Sequence, residues 1–174
     1  MHQLILMRHG KAERSRADLA DHDRALSRTG RDAALRLRDR LMRLGIEPDV
    51  VLVSSARRTR ETLDCISFWD EQPNVERLDT LYMAPAARLF DLIRDLRETM
   101  RSVLVLGHNP GIHELALALA AGTPAGSEAH RQLTDGFPPA RLADFVILTP
   151  WRDLRAGSAR LQRVIDPPEA LESV

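Results

Sequence analysis

The sequence is poor in the features that mark a secreted, membrane-bound or nucleic-acid-coating protein. Cys65 is the single cysteine, so no intramolecular disulfide can form and nothing points to an oxidising compartment. No apolar run approaches the roughly 20 residues of a membrane span. The opening stretch Leu4-Ile5-Leu6-Met7 is broken at once by Arg8 and His9, too soon for the core of a secretion signal. A cytoplasmic location is the expectation. Aromatic residues are only 4% of the chain, and 25 Lys+Arg balance 25 Asp+Glu. A protein that coats nucleic acid needs a basic surplus and interleaved aromatics, so that class is excluded. Lysine is almost absent: Lys11 is the only one. Nearly every positive charge is therefore a guanidinium, a planar fork suited to carboxylate and phosphate, although skewed codon usage produces the same bias.

The 174 residues that remain to be explained are 44% apolar and 29% charged, enough for one globular domain with a substantial core. Four short apolar runs, 3–7, 50–53, 103–106 and 145–148, read as strands buried on both faces. Helical periodicity fills the gaps between them. Over 31–44, Ala34, Leu37, Leu41 and Leu44 share one face, with Ser27 as N-cap and Gly45 as the stop. Further helices are expected over 56–68, 86–97 and, opening at Pro110, 110–121. The segment 151–157 reads as a turn before an edge strand over 160–165, and 122–142 as a long irregular stretch. Strands alternating with helices predict an α/β fold, a three-layer α/β/α sandwich with a mostly parallel central sheet. The expected domain spans 1–166, followed by a flexible tail at 167–174.

In such sheets ligands bind beyond the carboxyl ends of the strands. The first strand is followed by Arg8-His9-Gly10-Lys11, the second by Ser54-Ser55-Ala56-Arg57-Arg58-Thr59, the third by Gly107-His108-Asn109-Pro110-Gly111. Two histidines and several arginines thus gather at one sheet edge, with no acidic cluster at those strand ends. Guanidinium and imidazolium groups bind phosphoryl oxygens through charge-assisted hydrogen bonds and stabilise a phosphoryl group in transfer.

These blocks resemble the histidine phosphatase superfamily, which includes the phosphoglycerate mutases. Leu4-Ile5-Leu6-Met7-Arg8-His9-Gly10 is similar to its Arg-His-Gly signature. Ser54 to Thr62 is similar to its second block, usually Ser-Pro-x-x-Arg-Ala-x-Gln-Thr, and Gly107-His108-Asn109-Pro110 to its third. The short chain, the stretch Asp23-Arg24-Ala25-Leu26-Ser27-Arg28-Thr29-Gly30 and Trp151 resemble the SixA-type phosphohistidine phosphatase branch. The resemblance implies a phosphoglycerate mutase-like fold and a phosphatase with His9 as the transiently phosphorylated nucleophile. Arg8, Arg58 and His108 would bind the phosphoryl oxygens, and no metal or other cofactor would be needed. The register from Ser54 selects Arg58 rather than Arg57.

The chain departs from the pattern at Ser55, Thr59 and Glu61, where proline, alanine and glutamine are usual. It also has nothing like the Gly-Trp-Glu-Gly segment that supplies the mutases with a general acid. An alkoxide leaving group requires such a donor, whereas imidazole leaves more readily. The expected substrate is therefore phosphohistidine on a protein, such as a signalling or phosphotransfer domain. A phosphomonoesterase for small phosphorylated metabolites and a non-catalytic phosphate-binding module are the alternatives. Lys11, Arg57 and Arg60 read as solvated, and whether Lys11, Arg57 or Asn109 meets substrate stays open. Asp21-His22-Asp23 does not read as a metal site, since adjacent residues cannot close a coordination sphere. His2, His22, His113 and His130 read as ordinary, and Cys65 as core packing. The arginines of 31–43 read as a solvated helix face paired with Asp32 and Asp39.

Overall fold

Strand β1 (His2–Arg8) shows why the apolar runs do not alternate: both faces of the sheet are covered. Leu4 and Leu6 enter one hydrophobic layer, Ile5 and Met7 the other. A computed structural model describes residues 1–170; the end of the expected tail, 171–174, lies outside the described residues. After β1 come α1 (Arg28–Arg43), β2 (Val50–Ser54), α2 (Arg57–Ile66), β3 (Asn74–Leu78) and α3 (Ala86–Arg94). They are followed by β4 (Ser102–Gly107), α4 (Gly111–Ala120), α5 (Glu128–Thr134), β5 (Leu142–Ile147) and β6 (Ala159–Ile165).

Among the described residues the sheet has six strands in the order β3-β2-β4-β1-β5-β6. The β1–β4, β2–β4 and β2–β3 pairs are parallel, while β5 runs antiparallel to both of its neighbours. The sheet is therefore mostly parallel, and helices cover both faces. Ala34, Leu37 and Leu41 of α1 pack with Leu63, Cys65 and Ile66 of α2 in one layer. Leu89 and Ile93 of α3, Ile112, Leu115 and Leu119 of α4, and Leu133 of α5 fill the other. The architecture is the expected three-layer sandwich.

The caps of α1 act as expected. Ser27 Oγ accepts the Gly30 N–H at 3.0 Å, and Gly45 takes φ +63° after the last turn. Gly30 is also a close-approach position, because a Cβ there would lie 2.1 Å from the Lys11 carbonyl oxygen. This contact holds the chain leaving β1 against the start of α1.

Several elements differ from the expectation. The sequence pattern predicts no strand at β3, because Val75 and its neighbours form an exposed edge with no apolar run. The stretch 122–142 is not wholly irregular: α5 lies within it, opened by Ser127, whose side chain accepts the His130 N–H. β5 begins at Leu142, three residues earlier than the run 145–148 implied, and α3 ends at Arg94. The turn after β5 carries a single 3-10 turn, Trp151–Asp153, with Trp151 fully buried. His2 stacks on that indole at 4.6 Å between ring centroids and is buried rather than a loose end.

The α1 arginines do not form the expected i,i+4 pairs. Arg36 and Arg40 donate instead to the carbonyls of Pro168 and Asp166. The chain is thus held as far as Pro168, beyond the expected start of the tail. Cys65 is buried as expected, with an Arg31 N–H 3.6 Å from its sulfur.

Candidate active site

The order β2-β4-β1 sets the three motif-bearing strand ends side by side. Arg8 and His9 leave β1, Ser54 and Ser55 leave β2 into α2, and His108 and Asn109 leave β4. Two threonines of α2 fasten the ends of β2 and β1 to that helix. Thr59 Oγ donates to the Ser54 carbonyl, and Thr62 Oγ donates to the Arg58 carbonyl while accepting the Gly10 N–H. The atypical Thr59 is therefore a structural tie under the site.

His9 is buried, and its Nδ1–H donates to its neighbour, the Gly10 carbonyl, at 2.7 Å. That bond leaves Nε2 with a lone pair, which accepts Arg58 Nε–H at 3.3 Å. His108 has the opposite tautomer: Nδ1 accepts from Arg58 Nη2 at 3.3 Å, so Nε2–H donates to Ser54 Oγ at 2.7 Å. The two rings lie 5.1 Å apart between centroids. Arg58, 2% exposed, thus joins both histidines. Burial, reinforced by Arg58 and Arg8 against the Gly10 hydrogen bond, pushes the His9 pKa down to about 4. Burial and then the neighbouring His9 and Arg58 push His108 down to about 3. Both imidazoles are neutral at pH 7.

Arg8 Nη1 and Asn109 Nδ2 both donate to the Phe137 carbonyl, at 3.0 and 2.8 Å. Arg8 Nε and Asn109 Oδ1 are buried with no partner among the described residues. Burial, then Arg58, lowers the Arg8 pKa. No carboxylate pairs with Arg8 among the described residues, so its charge is available to an anion.

The sequence singled out Arg8, His9, Arg58 and His108, and the structure brings all four to one cavity of about 430 Å³. Lys11, Arg24 and Asn109 share its lining, and Lys11 is exposed there as expected. Arg57 does not take part; it points outward and pairs with Glu61 at 2.9 Å. Arg60 also lies outside, bonded to the Ser55 carbonyl.

Residues passed over in the sequence join the site through the 3-10 turn Asp21–Asp23. Asp21 receives Arg58 Nη1 on its carbonyl at 2.7 Å and Arg58 Nη2 on its carboxylate at 3.0 Å. Tyr82 OH donates to the same carboxylate at 2.6 Å and Arg24 Nη2 at 2.9 Å. The Tyr82 hydrogen bond, together with Arg58 and Arg24, outweighs burial and holds the Asp21 pKa at about 2. His22 Nε2 lies 2.9 Å from Ser55 Oγ, where a proline is usual, and its ring meets Tyr82 edge-on. The only advance signal for Asp21 was its place three residues before Arg24 in the SixA-like stretch.

With Arg8, Lys11, Arg24 and Arg58 against Asp21, the single carboxylate of the lining among the described residues, the cavity favours a small anion. Among the described residues, no group of three or more His, Cys, Asp or Glu side chains is placed to hold a metal ion. No helix among them is long and apolar enough to cross a membrane.

The profile of the histidine phosphatase superfamily (branch 1) matches residues 4–81. An uncharacterized protein of Mycobacterium tuberculosis is 31% identical over 159 residues, covering 89% of this chain and 96% of the relative. Among solved structures, a candidate phosphohistidine phosphatase SixA from Nakamurella multipartitia superposes with a TM-score of 0.83 at 29% identity. That match covers 95% of this chain and 96% of the other. A second such candidate, from Agrobacterium tumefaciens, gives 0.79 at 26% identity over 95% and 98% of the two chains.

Proposed function

This chain belongs to the histidine phosphatase superfamily, and from that premise we propose that it removes a phosphoryl group from phosphohistidine on a protein through a phosphorylated His9. The observation that carries the reading is the proton arrangement at His9. The Gly10 carbonyl holds the Nδ1 proton, so the Nε2 lone pair is directed at the cluster of phosphate-binding donors.

The steps follow from the groups present. The incoming phosphoryl group draws Arg58 Nε–H away from His9 Nε2 onto one of its own oxygens, which frees the lone pair. Arg8 and Arg58 bind the equatorial oxygens, where developing charge needs preorganised donors. His108 has its one N–H committed to Ser54, so it meets a phosphoryl oxygen after taking a proton at Nδ1, which the incoming anion favours. His9 Nε2 bonds to phosphorus as the bond to the leaving group breaks. Water then attacks the phosphoenzyme and releases phosphate. The guanidinium groups provide the positive charge for these steps, and the reading requires no metal.

Support for a phosphohistidine substrate comes from the lack of a protonated carboxyl group in the cavity lining. Asp21, the one carboxylate in the cavity lining among the described residues, is held ionised near pH 7, with a pKa of about 2. It therefore has no proton to give to an alkoxide, whereas a phosphorylated imidazole already protonated on its other nitrogen leaves as neutral imidazole without one. The similarity to SixA candidates at 29% and 26% identity points the same way. The test is a rate comparison in EDTA between a phosphohistidine-bearing phosphotransfer protein and a panel of phosphomonoesters. The phosphohistidine protein is expected to be the better substrate by at least about a hundredfold in kcat/KM, the size of a typical general-acid contribution. Equal or faster cleavage of the esters would overturn the substrate assignment.

A further inference from the structure

Asp21 does more than steady Arg58. Its Oδ2 accepts Tyr82 and Arg58, and its Oδ1 accepts Arg24. A carboxylate has about four acceptor positions, so three are filled and one on Oδ1 remains. The side chain is 46% exposed and lines the same cavity as His9 and His108. One guanidinium, that of Arg58, separates the carboxylate from the lone pair of His9 Nε2. A fixed negative charge is an unusual component of a phosphate site, because it repels the group the arginines attract. It has a use if the leaving group carries positive charge.

We propose that Asp21 is the residue that selects the leaving group, accepting a hydrogen bond from the free ring N–H of a phosphorylated imidazole and opposing departure of an oxyanion. This deepens the phosphohydrolase reading above and rests on it. As His9 Nε2 bonds to phosphorus, the P–N bond of the substrate breaks and its electron pair stays on the ring nitrogen. A ring protonated beforehand on its other nitrogen then departs as neutral imidazole, and no proton has to be supplied. The Asp21 carboxylate stabilises that protonated ring. In an ester the P–O bond breaks instead, and its electron pair leaves on oxygen as an anion beside the Asp21 charge. The two outcomes thus differ in the sign of their interaction with one residue. The low pKa of Asp21 is consistent with this role, since a carboxylate that stays ionised keeps the discrimination through the physiological range.

The experiment measures kcat/KM for phosphoimidazole and for phenyl phosphate, leaving groups of similar size, in wild type, Asp21→Asn and Tyr82→Phe. A displaced Arg58 or a smaller folded fraction affects both substrates alike and cancels in their ratio. Asp21→Asn is expected to lower the phosphoimidazole-to-phenyl phosphate ratio about tenfold, the scale of one charge-assisted hydrogen bond. Tyr82→Phe keeps the carboxylate and is expected to leave the ratio within about twofold. An unchanged ratio in Asp21→Asn overturns the proposal, as does an equal drop in Tyr82→Phe. If Asp21→Asn turns over neither substrate, Arg24→Gln decides. It removes the positive charge that offsets the Asp21 carboxylate and is expected to raise the ratio, and no rise there overturns the proposal. If wild type cleaves neither substrate, the phosphatase reading itself fails and the role of Asp21 falls with it. Activity in wild type with an unmoved ratio removes the Asp21 proposal alone.

Discussion

His9 and His108 are both buried and both face Arg58, and these surroundings set their charge before any substrate arrives. An ordinary histidine titrates near 6.5, whereas burial and the arginines bring His9 to about 4 and His108 to about 3. In the free protein, ¹⁵N chemical shifts of these rings should therefore stay neutral as the pH falls through 6.5. His9 should keep Nδ1 protonated and His108 Nε2. A midpoint near 6.5 for either ring would contradict the electrostatics described. The same shifts affect stability. The unfolded chain binds protons at these rings below about 6.5 and the folded protein does not, so stability is full above 6.5 and is lost as pH falls toward 4. Arg8, His9, Arg58 and His108 could be read from the sequence because each follows directly, or within one turn, from a strand end. Asp21 and Tyr82 could not, since they reach the site from short 3-10 segments whose placement no local pattern specifies. An acidic Asp-His-Asp triplet on a loop resembles solvated surface until Arg58 is seen to bond it.

At the scale of elements, the parts with two apolar faces or a regular stripe were legible, and the parts stabilised by context were not. Strands β1, β2 and β4 each carry an unbroken apolar run of four residues, and α1 carries its stripe on Ala34, Leu37 and Leu41. β3 is an exposed edge strand that takes its form from pairing with β2. The seven-residue α5 gains its place from the buried Leu133 and the Ser127 cap. Two substitutions separate packing from site geometry. Leu37, fully buried in the α1–α2 layer, lies away from the cavity. Leu37→Ala should lower unfolding free energy by about 2–5 kcal/mol while leaving kcat/KM unchanged where the protein stays folded. Gly111 sits where a Cβ would lie 1.9 Å from the Ala84 carbonyl oxygen. Ala84 follows Tyr82 and Met83, and Met83 already takes a left-handed φ of 50° on the cavity wall. Gly111→Ala should therefore reduce both stability and activity, as read by denaturant titration and by kcat/KM on the same preparation. Full activity in Gly111→Ala would show that the wall carrying Tyr82 is not held by this contact.

For the whole molecule, the zero net charge conceals an uneven distribution. Arg8, Lys11, Arg24 and Arg58 converge on one cavity, where Asp21 is the single carboxylate among the described residues. Other arginines act as structural ties rather than as surface charge. Arg141 donates to both carboxylate oxygens of Asp166 at 2.7 Å and to the carbonyls of Gln132 and Gly136. It thereby fixes the segment whose Phe137 carbonyl orients Arg8 and Asn109. Arg36 and Arg40 bind the chain after β6. The composition could show the excess of arginine but not this division of work, which depends on contacts ranging from 5 to 132 residues apart in sequence. The central claim, that His9 carries the phosphoryl group, is tested most directly by trapping the protein during turnover of a ³²P-labelled substrate. Wild type should hold label at His9 in a linkage that is lost in acid and survives base, and His9→Ala should hold none and release no phosphate. Label retained, or phosphate released at the wild-type rate, in His9→Ala would contradict the account.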